Sequence, residues 1–220
     1  MNIEQVRFNM VEQQIRTWDV LDTDILDVLY VLKRENFVPP HQREFALMDV
    51  EIPLGPMSAT EKMWQPRVEA RVLQDLGLSG NEHVLEVGTG SGYFTALLAA
   101  RCAKVTSVEI NPLLAKFAAE NLAAANINNV CLFTGDAARG FAASASYDVI
   151  VFTGSMEVVP EAPLAQLNVG GKLFAIVGKA PAMHAKVLRK SAQGTITEKI
   201  LFETVVTPLT NAARAAAFVF

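Results

Sequence analysis

Apolar residues recur at helical spacing through the first part of the chain. Within residues 3–15, and again within residues 20–32, they fall three or four positions apart, so each set lies on one face of a helix. The same spacing returns at residues 68–76 and stops at Gly77, a residue type that commonly ends helices. The pattern therefore predicts three amphipathic helices before residue 78.

A long segment without regular spacing separates the second predicted helix from the third. Pro39 and Pro40 close the N-terminal helical region, and residues 52–66 are punctuated by proline and glycine. This punctuation predicts a long loop. Because loops of such length in compact domains are often functional, we expect this one to act as a lid over a site.

From residue 83 onward, short β-rich runs alternate with helical stretches, which is typical of βαβ units and a parallel sheet. The predicted parallel strands are residues 83–87, 104–109, 130–134, 148–152 and 172–177. The predicted helices are residues 92–100, residues 112–125, a short one after Asp136, and residues 160–167. Two further runs are predicted to pair antiparallel at one sheet edge, residues 185–189 and 195–206. The Ala-rich residues 211–217 fit either a helix or a frayed tail.

These elements describe an α/β fold. We expect a Rossmann-like, doubly wound and mostly parallel sheet of seven strands, with an antiparallel C-terminal edge and an N-terminal helical extension. At 220 residues, of which 51% are apolar, the chain is predicted to form one domain. In this prediction residues 1–76 supply the helices and the long loop, and residues 77–220 supply the α/β core.

Charge, cysteine and histidine content indicate which partners, thiol states and metals to expect. The formal net charge of −4 gives no long-range attraction for phosphate backbones or anionic lipids, so we expect no nucleic-acid or membrane partner. Cys102 and Cys131 fall within apolar runs and are expected to be buried free thiols. The histidines lack metal-ligand spacing, so no metal is expected. Without a signal peptide or a membrane-spanning run, we predict a cytoplasmic monomer or homodimer.

Glycine residues occupy the turn between the first predicted parallel strand and the helix after it. Gly88, Gly90 and Gly92 remove three Cβ atoms where the backbone bends and helix N–H groups face outward, the place where open parallel sheets bind nucleotides. The dinucleotide fingerprint needs glycine where this chain has Tyr93, and the Walker ending Gly-Lys-Ser/Thr is absent. A tight βα turn without a ligand is the alternative interpretation.

Carboxylates follow the next two predicted strands at the same edge of the sheet. Glu109 ends the second strand, where a carboxylate accepts hydrogen bonds from a ribose diol. Asp136 follows the third strand, where it is predicted to accept a hydrogen bond from the exocyclic amine of adenine. Glu86, just before the glycines, repels a pyrophosphate but tolerates a cationic sulfonium and an amino group. Together they favour S-adenosyl-L-methionine over a dinucleotide, although each acid alone is more often a helix N-cap.

We assign cofactor binding to backbone and side chains at four strand ends. The predicted cofactor-binding residues are Glu86, Gly88, Thr89, Gly90, Ser91, Gly92, Glu109, Ile110, Asp136, Ala137 and Thr153. Thr153 ends the fourth strand, where it either contacts the ligand or belongs to a plain turn. The expected product form of the cofactor is S-adenosyl-L-homocysteine.

Residues 84–93, Val-Leu-Glu-Val-Gly-Thr-Gly-Ser-Gly-Tyr, resemble the first motif of the protein-L-isoaspartate O-methyltransferases. The resemblance extends to residues 10–16, 36–39, 52–55 and 170–173. It implies transfer of a methyl group from S-adenosyl-L-methionine to a carboxylate of a damaged protein, which is a repair reaction. It also implies that the glycines, Glu109 and Asp136 hold the cofactor, and that the loop before Pro66 meets a protein or peptide substrate.

The loop before Pro66 departs from the family pattern. The family carries Gln-Thr-Ile-Ser-Gln/Ala-Pro there, and its Thr and Ser belong to the substrate site. When the two patterns are anchored on Gln65-Pro66, Lys62 stands at the Thr and Trp64 at the Ser. After the third strand the family's Gly-Asp-Gly is Gly-Asp-Ala in this chain.

Four residues of the loop are the catalytic candidates. We predict that Ser58, Thr60 and Gln65 donate hydrogen bonds that orient the acceptor, with a loop-capping or solvated role as the alternative for each. Trp64 packs either on substrate and cofactor or in the core. Two other functions stay open: a related methyltransferase with a different, small-molecule acceptor, and a non-catalytic protein that binds S-adenosyl-L-methionine.

Overall fold

The N-terminal region is helical where the apolar spacing predicts helices, in a computed structural model that describes residues 2–55, 60–142 and 144–216. Helix α1 (Ile3–Asn9) continues through a π-helical segment (Met10–Ile15) and a 3₁₀ turn (Arg16–Trp18), and α2 spans Thr23–Val31. The Asp22 carboxylate caps α2 by accepting from the backbone N–H groups of its first turn. The predicted pair of N-terminal helices is therefore present.

Helix α3 (Pro66–Leu76) connects this region to the sheet. Proline stands at its first position, and Gly77 ends it in the left-handed conformation with a φ of 55°, as the sequence predicts. Its apolar face is buried against α2 and the π-helical segment. The long loop ends where α3 begins, so the packing of α3 fixes the position of the C-terminal end of that loop.

Seven strands form one twisted sheet. They are β3 (His83–Val87), β4 (Lys104–Glu109), β5 (Val130–Thr134), β6 (Tyr147–Met156), β7 (Leu167–Lys179), β8 (Ala182–Lys190) and β9 (Ile196–Glu203). Their order is β5-β4-β3-β6-β7-β8-β9, and pairing is parallel from β5 to β7 and antiparallel between β7, β8 and β9. The helices that connect the parallel strands are α4 (Tyr93–Ala99), α5 (Pro112–Ala124) and α6 (Glu161–Ala165). The predicted fold class is confirmed.

Apolar side chains cover both faces of the sheet. Along β6, Val149 and Val151 belong to the core that also holds α3, α4 and α5, whereas Ile150 and Phe152 belong to a second core on the opposite face. This alternation follows from the two-residue period of a strand. Strands β3, β4 and β5 begin and end at the predicted residues. β3 and β4 are buried along nearly their whole length, whereas the edge strand β5 is largely exposed.

The short helix predicted after Asp136 is wrong. The described residues between 135 and 146 contain turns and an isolated bridge but no α-helix. The side-chain amide of Gln166 holds this segment, since it accepts from the N–H of Phe141 at 3.2 Å and donates to its carbonyl at 2.7 Å. Gly140, with a φ of 105°, turns the backbone away from a helical path.

The loop predicted at residues 52–66 contains a small hairpin. Strand β1 (Ile52–Pro53) pairs antiparallel with β2 (Lys62–Met63), and α3 already begins at Pro66. Two-residue strands are too short to leave an alternating pattern, which explains why periodicity missed them. Residues 56–59, and with them the catalytic candidate Ser58, lie outside the described residues.

The C-terminal segment, residues 204–216, packs along the end of β6 and is not helical. The Ser155 N–H donates to the carbonyl of Thr207 at 3.0 Å, and the Leu209 N–H donates back to the carbonyl of Ser155 at 3.0 Å. The Ser155 hydroxyl donates to the Val206 carbonyl at 2.9 Å. Residues 211–216, the described part of the Ala-rich stretch, contain no helix, and the Ala213 carbonyl accepts from the Glu157 N–H at 3.1 Å.

The structure corrects the burial predicted for one of the two cysteines. Cys102 is buried, but Cys131 is exposed on the edge strand β5. Within the described part of the chain, no group of three or more His, Cys, Asp and Glu side chains is arranged to hold a metal ion. The helices of the same residues are too short or too polar to cross a membrane.

Candidate active site

A cleft opens at the carboxyl ends of β3, β4, β5 and β6. It holds about 1040 Å³ of space, open solvent at its mouth included, and its walls are the strand-end turns, the β1–β2 hairpin and the C-terminal segment. From β3 the chain proceeds outward through β4 to β5 and then returns to the other side of β3 as β6. Open α/β sheets bind ligands at this kind of switch point.

Most of the predicted site residues line this cleft. On the predicted cofactor side they are Gly88, Thr89, Gly90, Ser91, Glu109, Ile110, Asp136, Ala137 and Thr153. On the predicted acceptor side they are Thr60 and Trp64. Three further predicted residues, Glu86, Gly92 and Gln65, are not part of the lining.

The glycine turn presents bare backbone to the cleft. Gly88 and Gly90 have φ angles of 96° and 58°, a region that side chains disfavour. A Cβ at Gly88 would collide with the Thr153 hydroxyl, which donates to the Gly88 carbonyl at 2.6 Å. A Cβ at Gly90 would lie 3.2 Å from Leu54 of the hairpin segment. The turn therefore requires glycine at both positions.

Gly92 and Gln65 are predicted to belong to the site, but each contacts another part of the protein. A Cβ at Gly92 would lie 3.3 Å from Ala118, so this glycine allows α5 to pack against the turn. The Gln65 side-chain oxygen accepts from the Arg67 guanidinium at 3.0 Å. Both residues support neighbouring helices, and neither side of the cleft includes them.

Glu109 is held against the glycine turn by backbone donors. Its Oε2 accepts from the Gly90 N–H at 2.8 Å and its Oε1 accepts from the Asn111 N–H at 3.0 Å. A carboxylate has about four acceptor positions, so hydroxyl donors of a ligand have positions left to bind. The side chain is 6% exposed, which limits competition from bulk water.

Asp136 links the third strand end to the C-terminal segment. Its Oδ1 accepts from the Ala138 N–H at 2.9 Å, and its Oδ2 accepts from the Asn211 side-chain amide at 2.8 Å. Residues 206–210 also line the cleft. Sequence reasoning missed this wall, because a segment that pairs irregularly with β6 has neither a helical nor a strand period.

Glu86 is completely buried beneath the turn and does not reach the cleft. Its Oε2 accepts from the hydroxyls of Thr95 at 2.5 Å and Ser107 at 2.6 Å. Because Ser107 has one hydroxyl proton, Thr89, which lies 2.6 Å from it, donates to Ser107. Burial raises the pKa of Glu86 to about 8. The structure thus places Glu86 as a support that joins the turn to β4 and α4, and not as a lining residue.

The raised pKa of Glu86 predicts a pH dependence of stability. In the unfolded chain the carboxyl ionises near its ordinary pKa of 4.5, whereas in the folded protein it keeps its proton to about pH 8. The unfolded state therefore binds fewer protons between about pH 5 and pH 8, and the free energy of unfolding falls as pH rises through that window. We expect Glu86→Gln to reduce this slope in urea titrations at successive pH values. A slope equal to that of the unchanged protein would contradict this assignment.

The β1–β2 hairpin forms another wall of the cleft. Trp64 is 7% exposed and packs on Phe94 with ring centroids 5.3 Å apart. Thr60 is exposed and lines the cleft. The Glu61 carboxylate accepts from the Asn111 side chain at 2.6 Å, which ties the hairpin to the residues that follow Glu109. The two sides of the cleft are thus joined directly.

A buried ion pair lies behind Trp64. Arg34 is fully buried, donates to Glu69 Oε2 at 2.9 Å, and donates to the carbonyls of Ala46 and Trp64 at 2.6 Å each. Burial raises the pKa of Glu69 to about 7 in spite of the opposing charge of Arg34. Sequence reasoning missed the pair, although an acid beside Val68 on the apolar face of α3 was a usable signal.

Comparison with known proteins identifies the family. The family model for Protein-L-isoaspartate(D-aspartate) O-methyltransferase (PCMT) matches residues 5–214. The chain belongs to this family. A PCMT-family relative from Anaeromyxobacter dehalogenans, named protein-L-isoaspartate O-methyltransferase, is 40% identical over 87% of this chain and 91% of its own. A relative of the same name from Methanoculleus marisnigri is 38% identical over 78% of this chain and 77% of its own.

Two solved structures share the PCMT fold with this chain. A protein-L-isoaspartate O-methyltransferase superposes with a TM-score of 0.81, at 23% identity, over 93% of this chain and 66% of that chain. A crystal structure from Plasmodium falciparum, assigned to the same family and in complex with S-adenosyl-L-homocysteine, superposes with a TM-score of 0.78, at 17% identity, over 96% and 99%. The resemblance of residues 84–93 to this family is confirmed.

Proposed function

We propose that this protein is an S-adenosyl-L-methionine-dependent methyltransferase that esterifies the carboxylate of an isoaspartyl residue in a damaged protein or peptide. One observation carries the proposal. In a chain of the PCMT family, Glu109, Asp136 and the bare backbone of residues 88–90 converge on a single cleft at the switch point of the sheet. Those groups match the parts of an adenosyl ligand.

The residues present fit the cofactor chemically. Glu109 keeps acceptor positions for two ribose hydroxyls, and Asp136, which is exposed at the cleft, offers an oxygen to the adenine amine. Ile110 and Ala137 supply apolar contact for the base. Residues 88–90 line the same cleft, so we propose that the remainder of the ligand lies against their backbone. We infer that these residues, with Thr89, Ser91 and Thr153, hold the cofactor.

Bound S-adenosyl-L-methionine supplies a methyl group activated on a positively charged sulfur. A carboxylate acceptor has a reference pKa of about 4 and is ionised at neutral pH, so the protein needs no general base to prepare it. The task left to the chain is alignment, for which gains of roughly 7–11 kcal/mol are available in well-oriented systems. We propose that the Thr60 hydroxyl orients the acceptor and that Trp64 excludes water from it.

We also propose that the protein works in the cytoplasm as a monomer or homodimer, without nucleic-acid or membrane partners. The net charge of −4 supports the absence of nucleic-acid and membrane partners, since it gives no attraction for anionic polymers or lipids. A carboxylate acceptor carried on a protein surface needs an open cleft, and this cleft is partly open to solvent.

The proposed function is tested with S-adenosyl-L-methionine labelled in its methyl group and an isoaspartyl peptide. We expect label to enter the peptide and to leave as methanol in mild base, because the product is an ester. The matched control is the same peptide with normal aspartate, which is expected to stay unlabelled. Absence of base-labile label above the control would overturn the proposed acceptor.

A further inference from the structure

The charged side chains that line the cleft are mostly negative. Among the described lining residues there are five carboxylates and one ammonium group: Glu51, Glu61, Glu69, Glu109, Asp136 and Lys62. Arg34 neutralises Glu69 from behind the wall, and Glu109 and Asp136 belong to the proposed cofactor side. A carboxylate acceptor therefore approaches a cleft of its own sign. Within that lining, Lys62 is the group whose charge attracts it.

Lys62, which lines the cleft, forms an ion pair with a carboxylate. Its Nζ lies 3.0 Å from Glu51 Oε2, across the β1–β2 hairpin, and the two side chains are 32% and 26% exposed. Ion pairs this exposed contribute little net stability, because water solvates the separated charges well. Exchanging one carboxylate for another at this ammonium group therefore costs little free energy.

We propose that Lys62 is a specificity-determining residue that binds the acceptor's carboxylate, which takes the place of Glu51 at the ammonium group. This inference rests on the proposed function, because it requires an anionic acceptor. It also accounts for the sequence at this point. Lys62 stands where the family pattern has threonine, so a charge replaces a hydroxyl donor.

The test compares Lys62→Met with Glu51→Gln, two variants that break the same ion pair. If the pair only stabilises the hairpin, both variants shift peptide binding in the same direction. If Lys62 binds the acceptor, Lys62→Met raises the KM for an isoaspartyl peptide about tenfold, as expected for a lost hydrogen bond between charged groups. Glu51→Gln then lowers the KM about threefold, because it removes the competing carboxylate. Lys62→Arg is expected to restore most of the affinity.

A second readout separates this inference from the proposed function. The affinity of the S-adenosyl-L-homocysteine-loaded protein for a fluorescent isoaspartyl peptide, measured by anisotropy, requires no turnover. Opposite shifts in the two variants support Lys62, whereas shifts of the same sign, or none, overturn it. Failure of the unchanged protein to methylate the peptide, with binding intact, would instead overturn the proposed reaction. Failure to bind the peptide would overturn both.

The chain offers a matched ion pair away from the cleft. Lys186 Nζ lies 3.2 Å from Glu198 Oε1 on neighbouring strands β8 and β9. Lys186→Met and Glu198→Gln change the same net charges and are expected to leave both KM and peptide affinity unchanged. An effect of Lys186→Met equal to that of Lys62→Met would show that overall charge, and not the position of Lys62, governs acceptor binding.

Discussion

Replacing Glu109 with glutamine is expected to weaken binding of S-adenosyl-L-homocysteine by about ten- to a hundredfold. The carboxylate offers charge-assisted acceptors to ribose hydroxyls, and bonds of this kind contribute roughly 1.5–3 kcal/mol each. Glutamine also turns an N–H donor toward the backbone N–H of either Gly90 or Asn111, both of which now donate to the carboxylate. Titration calorimetry measures the change in Kd directly.

Asp148 provides the control for Glu109. It accepts from the backbone N–H of His83 at 2.9 Å, so Asp148→Asn disturbs a comparable contact between an acid and the backbone. Asp148 lies near the start of β6, at the opposite end of the strand from the cleft, and does not line it. We expect its Kd to match that of the unchanged protein. Equal losses in the two variants would attribute the effect of Glu109→Gln to damage of the sheet.

Replacing Glu69 with alanine is expected to lower the free energy of unfolding by about 3–5 kcal/mol. The change leaves the Arg34 charge fully buried without its counter-charge, and breaking a buried pair from one side has costs of this size. The bonds from Arg34 to the carbonyls of Ala46 and Trp64 remain, but they do not neutralise the guanidinium. Urea denaturation monitored by tryptophan fluorescence measures the loss.

Two comparisons make the Glu69 prediction specific. Glu198→Ala removes the partner of an exposed lysine and is expected to change stability by less than about 1 kcal/mol. The double variant Arg34→Met/Glu69→Met is expected to recover part of the loss, since it removes both buried charges. Recovery stays incomplete because two carbonyls lose their donor. A Glu69→Ala protein as stable as the Glu198→Ala protein would contradict the account of this pair.

The parallel strands of the fold could be predicted from sequence because short β-rich runs alternate with helical stretches. Strands β3, β4 and β5 begin and end at the predicted residues, although most residues of β4 are polar and β5 is a largely exposed edge strand. Strand β6 runs past the prediction to Met156, because Thr153 and Gly154 interrupt the apolar run while a bulge preserves the pairing. The absent helix after Asp136 depends on the distant Gln166 amide, which no local pattern encodes.

Some residues of the candidate site could likewise be predicted from local sequence patterns, and others could not. Spacing at strand ends located Glu109 and Asp136, because parallel strands bring their carboxyl ends to one edge. The sequence places Glu86 in the cofactor site, but the structure buries it below the turn. A carboxylate beside a glycine turn has the same local sequence whether it faces a ligand or a buried hydroxyl network. The C-terminal wall and the Arg34–Glu69 pair depend on contacts between residues far apart in the chain, which only the folded structure reveals.

A crystal structure with bound S-adenosyl-L-homocysteine tests the central claim most directly. The predicted result places the ribose hydroxyls within hydrogen-bonding distance of the Glu109 carboxylate, the adenine amine beside Asp136, and the ligand against the backbone of residues 88–90. The contradicting result is a ligand bound elsewhere, or one that leaves the Glu109 oxygens without contact.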